Sequence, residues 1–477
     1  MFIGRRTELG ILQERLQHVR DTGTGVAVAV RGRRQVGKSR LVQEVCDRAE
    51  LPYVYFTAVK GRSSTESAAM FLGELRDSAL PVDGEQPPET GSGGWDDTLR
   101  LLAGALPDGP SIVVLDELPW LSEQDQTFDA TLQVAWDRLL SAKPVLLLLL
   151  GSDLHLMQRL TASGRPFHGR ADNLVVGPFN PRETATLTGL RGADAVDAYL
   201  ITGGLPSLAL RWPARTPPDV FLLDECADAA SPLYSVPEQS LSAEFPVPDV
   251  ARRILEAVGS GNRTFANIAA GAGGCGGPVR SGTLSPLLRR LVEDKQVLAV
   301  AEPLSARAGK PARYRVADSN LRLYLGILRD AHQQVLRGRV APAAQIVTQR
   351  WASWRGSAVE PVVRDALANA AGNGGLPGRQ VEAVGGWWNR RFEHQIDLVG
   401  ADRGPVAGQI GFTGSIKWLE TPFDRRDLAA LRADAALVPG FDADSTGLVV
   451  VSRSGADLPA GEVDMVWAAE DVIAAWA

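Results

Sequence analysis

The chain has 477 residues, 45% of them hydrophobic and 22% charged, with a formal net charge of −6 at pH 7. That length suggests two to four domains with ordinary buried cores, and the negative balance excludes a protein that coats nucleic acid through its overall charge. Three scattered cysteines, Cys46, Cys226 and Cys275, form no C-x-x-C pair and no metal spacing, which points to a reducing, cytoplasmic setting and away from a zinc centre. The chain opens without a signal-peptide pattern, and its longest apolar run, 145–151, is too short to span a bilayer, so no membrane partner is expected.

Residues 1–20 read as a short loop and then an amphipathic helix, capped by Thr7, with Leu9, Leu12 and Leu16 on one face. An apolar strand over 25–32 runs into Gly32-Arg33-Arg34-Gln35-Val36-Gly37-Lys38-Ser39, which fits G-x-x-x-x-G-K-[ST], and helix periodicity follows over 40–50. Strand, glycine loop and helix start together make a phosphate cradle, because glycines let backbone N–H groups converge on phosphate oxygens and the helix N-terminus adds its positive end. Lys38 would reach the β- and γ-phosphates of ATP, and Ser39 would hold Mg²⁺.

A strand rich in aromatic and β-branched residues follows over 52–59, then helices over 67–78 and 95–106 separated by a polar Pro/Gly loop, 81–94. The run SIVVLDELPW, 111–120, has the pattern of a buried parallel strand that delivers carboxylates at its C-terminal edge. Asp116 would join the Mg²⁺ shell, and Glu117 is the candidate base that polarises the attacking water. After a helix over 124–141, a fourth apolar strand, 144–152, ends in Ser152, and 165–179 contains Arg165, Arg170 and a fifth strand. Either arginine could stabilise developing charge, in cis or across a subunit contact, or be a solvated loop residue. A helical lid begins at 181–190, and several prolines mark 211–250 as a linker or lid.

Residues 251–320 change character. Two short helices, a third amphipathic helix with Leu284, Leu287, Leu288 and Leu291, and a hairpin with a basic tip make a winged helix. Eleven basic residues face five acidic ones in this span, against the net negative charge of the whole. That is the footprint of a DNA phosphate contact, with Arg289, Arg290, Arg307, Lys310 and Arg313 as candidates; a domain that locks the nucleotide state or binds a protein effector is the other reading. A helical connector, 321–350, leads to another α/β unit, 351–477, in which Glu360 lies on a helix, Asp397 in a hairpin and Lys417 at a strand end.

The segments FIGRRTEL, GRRQVGKS, VVLDELPWL, GSDLHLM, FHGR, TGGLPS, YRVADSNLRLYL and GGWWNRRFEHQIDLV through GSIKW together resemble the archaeal-type ATPase family of the AAA/signalling-ATPase group. The resemblance implies an α/β fold: a RecA/AAA-like doubly wound parallel sheet over 1–210, a winged helix, and a C-terminal restriction-endonuclease-like domain. It implies that Phe2, Ile3, Gly4 and Arg5 lie against the adenine, that Ser152 senses the γ-phosphate, and that Pro206, with Gly203 and Gly204, approaches the nucleotide from the lid. A nuclease core of this type binds Mg²⁺ through an Asp and the acid of an E-x-K pair. Asp397 and Lys417 match, with Glu360 on the preceding helix, but the acid position falls on Ser415 or, in another register, Gln409. The nuclease site is therefore expected to be degenerate. The function implied is a Mg²⁺-dependent ATPase coupled to a DNA-binding C-terminal half, with a slow signalling switch and a metal-dependent nuclease as alternatives; an oligomer is left open.

Overall fold

The computed structural model describes residues 2–80, 93–245, 249–274, 277–309, 311–372, 374–377 and 381–476. Most of the Pro/Gly loop at 81–94, Cys275 and Lys310 lie outside the described residues. The chain divides into two compact units, Met1–Pro178 and Phe179–Ala477. Residues 179–210, assigned from sequence to the first domain, fold with the second unit.

In the first unit, five parallel strands lie in the order β2-β3-β4-β1-β5. They are β1 (Val26–Arg31), β2 (Tyr53–Thr57), β3 (Ser111–Asp116), β4 (Val145–Gly151) and β5 (Ala171–Val175). Continuous apolar runs are what a sheet covered by helices on both faces requires, and β3 and β4 are buried along their whole length. Side chains alternate between faces. Ala27, Ala29, Val113, Leu115, Leu147 and Leu149 join Phe71, Leu72, Trp95 and Phe128 in one core. Its aromatic rings meet edge to face, Phe56 with Phe71 at 5.5 Å and Trp95 with Phe128 at 5.0 Å. The helices Arg6–Thr22 and Lys38–Ala49 pack on the sheet with Leu12, Leu16, Leu41 and Val45 buried. The first of them starts one residue before Thr7, so Arg5, in a left-handed conformation (φ 59°), occupies the cap position expected of the threonine.

The second unit begins with helices that include Gly192–Thr202, Pro218–Ala227 and Pro232–Glu244. The last two occupy the span expected to be a linker. Pro218 and Pro232 stand at the first helical positions, where a proline is well tolerated because that N–H has no intrahelical partner. Phe221, Leu222, Cys226, Leu233, Tyr234 and Leu241 of this span are buried, so the prolines there start helices rather than mark a tether. Helices Val250–Gly259, Phe265–Gly271 and Ser281–Arg289 come next, followed by an antiparallel hairpin of β6 (Leu298–Ala301) and β7 (Arg313–Val316).

A 32-residue helix, Val340–Ala371, then runs unbroken through the expected boundary at 350/351. Connector and C-terminal domain share one element, because apolar positions from Ala343 to Leu367 are buried along it. The final sheet has the order β12-β11-β10-β9-β8: β8 (Ala383–Trp388), β9 (Gln395–Ala401), β10 (Ile410–Lys417), β11 (Gly447–Ser452) and β12 (Met465–Trp467). β8, β9 and β10 are antiparallel to their neighbours in that group, whereas β10, β11 and β12 run parallel. The long helix covers one face through Val359, Val363 and Leu367, and Arg425–Ala435 covers the other through Leu428 and Leu431. Buried Asp197 accepts from Arg355 (3.0 Å), Arg453 (3.0 Å) and the Trp418 indole (2.9 Å), which pins Gly192–Thr202 to the long helix and the sheet. Among the described residues, no helix is long and apolar enough to cross a membrane.

Candidate functional site

β1 lies between β4 and β5, and the chain leaves it at Gly32 under Val176; a Cβ on Gly32 would stand 2.2 Å from the Val176 carbonyl oxygen, so only glycine fits. Gln35 (φ 65°) and Gly37 (φ 92°) turn the loop through left-handed conformations into the helix that starts at Lys38. Lys38 is buried, and its Nζ donates to the carbonyls of Gly32 (2.7 Å) and Arg33 (3.0 Å). Burial lowers its pKa to about 8, against the opposing pull of Glu117 and Asp116.

Two neighbouring strand ends supply the other groups: the carboxylates come at the end of β3 and a hydroxyl follows β4. Asp116, the last residue of β3, accepts at Oδ2 from the Ser39 hydroxyl (2.7 Å) and the Tyr55 hydroxyl (2.8 Å), and at Oδ1 from the Glu117 N–H (2.8 Å). Burial and the Asp116 charge push the Tyr55 hydroxyl well above its ordinary pKa, so it stays a donor. Glu117 sits at φ 53°, a left-handed conformation that turns the chain from strand to helix. β4 pairs with β3, and just past its end the Ser152 hydroxyl lies 2.8 and 3.0 Å from the two oxygens of Glu117. Lys38, Ser39, Asp116, Glu117 and Ser152 thus converge at the C-terminal edge of the sheet, where open parallel α/β sheets place their ligands.

Other expected residues stand elsewhere. Arg170 precedes β5, whose Ala171 pairs with Ala27 at the start of β1, while the phosphate loop follows Arg31 at the other end. Four residues at about 3.3 Å each put Arg170 roughly 13 Å away, at the opposite edge of the sheet. Its guanidinium forks onto Asp137 at 2.7 and 2.9 Å, so a role in cis at this site is ruled out by geometry. Arg165 lines a cavity of about 380 Å³ with Glu123, Asp129 and Arg159, between helices Leu118–Gln124 and Leu154–Thr161. Arg5 is buried and donates to the carbonyls of Val36 (2.8 Å) and Gly177 (2.6 Å), with Glu8 at 3.0 Å. It braces the phosphate loop through its backbone rather than presenting a free charge to a base. Phe2 lies beneath the guanidiniums of Arg40 and Arg48, at 5.9 and 6.0 Å, and Ile3 and Gly4 (φ 73°) carry the chain from there to Arg5. Arg34 and Lys60 stand over the ring of Trp120, at 6.0 and 4.6 Å. Pro206 opens the short helix Pro206–Ala209 of the second unit, and the preceding Gly204 is held against the Phe179 backbone, where a Cβ would meet its carbonyl at 2.0 Å.

The donor set fits a magnesium–nucleotide complex. A serine hydroxyl beside a carboxylate offers the hard oxygen ligands that Mg²⁺ takes alongside phosphates. A buried ammonium satisfied only by carbonyls has a stronger partner to gain in a phosphate oxygen.

Residues 1–148 match the model of the AAA ATPase domain. The match spans β1 to the middle of β4 and includes every residue of the cluster except Ser152. An uncharacterized protein of Methanocaldococcus jannaschii is 23% identical over 402 residues, 84% of each chain. Among solved structures, the Walker-type ATPase of Pyrococcus abyssi superposes with a TM-score of 0.50 at 18% identity, covering 68% of this chain and 96% of that one. The Aeropyrum pernix ORC2 protein, solved as ADPNP and ADP complexes, gives 0.44 at 14% identity over 71% and 95%. The first unit therefore has the P-loop α/β fold with a five-stranded parallel sheet, and the family match supports an ATP-binding ATPase domain.

The linkage at Lys38 has a measurable consequence. Phosphate oxygens favour the charged ammonium, so nucleotide raises a pKa that burial had lowered to about 8. Binding of MgATP at pH 8.5 should be accompanied by proton uptake, and affinity should fall as pH rises above about 8. Calorimetric titrations in buffers of different ionisation enthalpy measure this; identical apparent enthalpies would show that Lys38 is fully charged before binding.

In the second unit, Asp397 accepts from the Ile416 N–H (2.9 Å) and the Ser415 hydroxyl (3.2 Å). Burial and the nearby Glu360 raise its pKa to about 6. Ser415 rather than Gln409 is the residue beside it; Gln409 lies before β10 and is exposed. Glu360 is paired with Arg364 at 3.0 Å, and Lys417 with Asp427. Among the described residues, no cluster of three or more His, Cys, Asp or Glu is placed to hold a metal ion. Of the expected DNA contacts, Arg289, Arg290 and Arg307 are exposed and make no ion pair among the described residues. Arg313 is engaged: its guanidinium lies 4.5 Å from both the Trp388 and Phe392 rings and donates to Gln395 at 3.2 Å. Sequence reasoning missed Tyr55 and the bracing role of Arg5. Tyr55 carried one usable signal: YVYFT is a strand on the edge beside β3, which brings it within reach of Asp116.

Proposed function

We propose that this chain is a cytoplasmic, Mg²⁺-dependent ATP hydrolase whose nucleotide state governs nucleic-acid binding by its second unit. The observation that carries the reading is the convergence of Lys38, Ser39, Asp116 and Glu117 on one sheet edge, with the hydrogen bonds given above. Mg²⁺, when bound, neutralises phosphate charge and orients the phosphates. Lys38 exchanges its two carbonyl partners for phosphate oxygens. Ser39 and Asp116 hold the metal shell, and Tyr55 keeps the Asp116 carboxylate in place. Glu117 accepts a proton from the attacking water. The exposed arginines 289, 290 and 307, on the third helix and hairpin, are the surface that meets phosphate backbone in this reading.

One observation favours a second reading, a slow switch that answers to a protein effector. Ser152 lies within hydrogen-bond distance of both oxygens of Glu117, so the base is held until something draws the hydroxyl away. A working nuclease is disfavoured by the Ser415 substitution and by the pairing of Lys417 with Asp427. ATP turnover by the full chain, with and without duplex and single-stranded DNA at two salt concentrations, separates the readings. Stimulation that fades with salt supports the proposal; turnover indifferent to DNA transfers the argument to the switch.

A further inference from the structure

The second unit contains a cavity of about 360 Å³ whose lining carries four arginines, Arg263, Arg315, Arg322 and Arg350, and no carboxylate. It opens where the end of Val250–Gly259, strand β7 and the long helix Val340–Ala371 come together. Four positive groups around one hollow are costly to assemble, since they repel one another and the buried Arg322 loses its water.

Their partners account for only part of this charge. Arg350 is held by Asp330 at 2.7 Å. Arg322 is 9% exposed and uses Nη2 on the Ser357 carbonyl (3.0 Å) and hydroxyl (3.2 Å), while its other guanidinium nitrogens make no hydrogen bond among the described residues. Arg263 and Arg315 donate no side-chain hydrogen bond at all among those residues. The indole N–H of Trp354, in the same wall, is buried without an acceptor. Glu360 and Asp365 exert some attraction on Arg315 but do not line the cavity. Burial, reinforced by Arg263 and Arg315, lowers the pKa of Arg322 to about 9, which shows how little compensation the cluster has.

We infer that this cavity is a binding site for a phosphate group with at least three unesterified oxygens, which Arg263, Arg315 and Arg322 would take. A phosphate group matches the forked donors of guanidinium, and its double charge and several oxygens can answer three guanidiniums where a single carboxylate answers one or two. A terminal phosphate offers three unesterified oxygens to the three guanidiniums, whereas a phosphodiester in mid-strand offers two, so the terminal group is preferred. The group can come from free phosphate or from the 5′ end of a nucleic acid. This goes beyond the backbone contact proposed above and does not depend on the ATP site.

The test uses the full chain carrying Lys38→Ala, so that the phosphate loop does not compete. Inorganic phosphate is titrated calorimetrically, and a fluorescent single-stranded oligonucleotide with a 5′-phosphate is compared with the same strand ending in a 5′-hydroxyl. Expected is binding of phosphate, or a preference for the 5′-phosphorylated strand, that weakens at least tenfold in both Arg315→Gln and Arg263→Gln. Both residues are half-buried, and circular dichroism checks that each variant folds. Binding of phosphate without a 5′-phosphate preference identifies the free ion as the source, and the preference identifies the nucleic-acid end. Absence of both, or unchanged binding in either arginine variant, overturns the inference, and it does so whether or not the protein hydrolyses ATP.

Discussion

Glu117→Gln should leave MgATP bound and lower the steady-state turnover of ATP by about a hundredfold to ten-thousandfold, the range over which a positioned general base acts. The substitution is close to isosteric, and the amide oxygen can still accept from Ser152, whose hydroxyl lies 2.8 Å from the native carboxylate. The left-handed turn at φ 53° is already tolerated by a non-glycine residue, so the backbone should not change. The readout is a pair of numbers: nucleotide affinity near that of the parent, and a collapsed kcat. Equal turnover in the variant would remove Glu117 from the chemistry and leave the cluster as a binding site only. Ser152→Ala adds information in the same assay. If the hydroxyl merely orients the base, turnover falls; if it restrains the base, turnover rises.

The second large effect is on binding. Lys38→Ala should weaken MgATP by at least two orders of magnitude, because it removes a buried cation that would face the phosphates and leaves nothing to replace it. Charge-assisted contacts of this kind are worth about 3–5 kcal/mol when one partner is deleted, and each 1.4 kcal/mol is tenfold in affinity. The fold should survive: the two carbonyls that Lys38 satisfies, on Gly32 and Arg33, lie in a loop that Arg5 also braces through Val36. Lys38→Arg separates charge from shape, since it keeps the cation but replaces a point ammonium with a planar fork. Unchanged affinity in Lys38→Ala would overturn the nucleotide-site assignment as a whole.

The C-terminal half shows why local patterns mislead about boundaries. Prolines at 213–250 have the composition of a tether, but Pro218 and Pro232 are helix starters whose neighbours Phe221 and Leu233 are buried. Whether a proline starts a helix or ends one depends on what the following turn packs against, and that information lies elsewhere in the chain. The boundary at 350/351 failed for a related reason. One long helix packs against Arg329–Val335 and Pro218–Ala227 as well as against β8 and β10, and its buried positions run on from Ala343 to Leu367, so no composition shift marks the change of partner. Arg313 counted towards a basic surface, but two aromatic rings from β8 and the turn after it enclose its charge.

Chemistry carried by contiguous residues is legible along the chain. A strand, a glycine loop and a helix start are adjacent in the chain, so the loop from Gly32 to Ser39 could be read directly. The apolar runs ending in Asp116 and Ser152 had the length and pattern of buried parallel strands, and burial requires their polar ends to emerge at one edge. Strand order and side-chain packing set the rest: Ser39 against Asp116 across 77 residues of chain, Arg170 at the far edge of the sheet, and Arg5 serving as a brace. The same holds for the four-arginine cavity, whose members come from a loop between two helices, a strand and two further helices. Charges that are unremarkable one at a time become a site when folding gathers them around a hollow that no carboxylate lines.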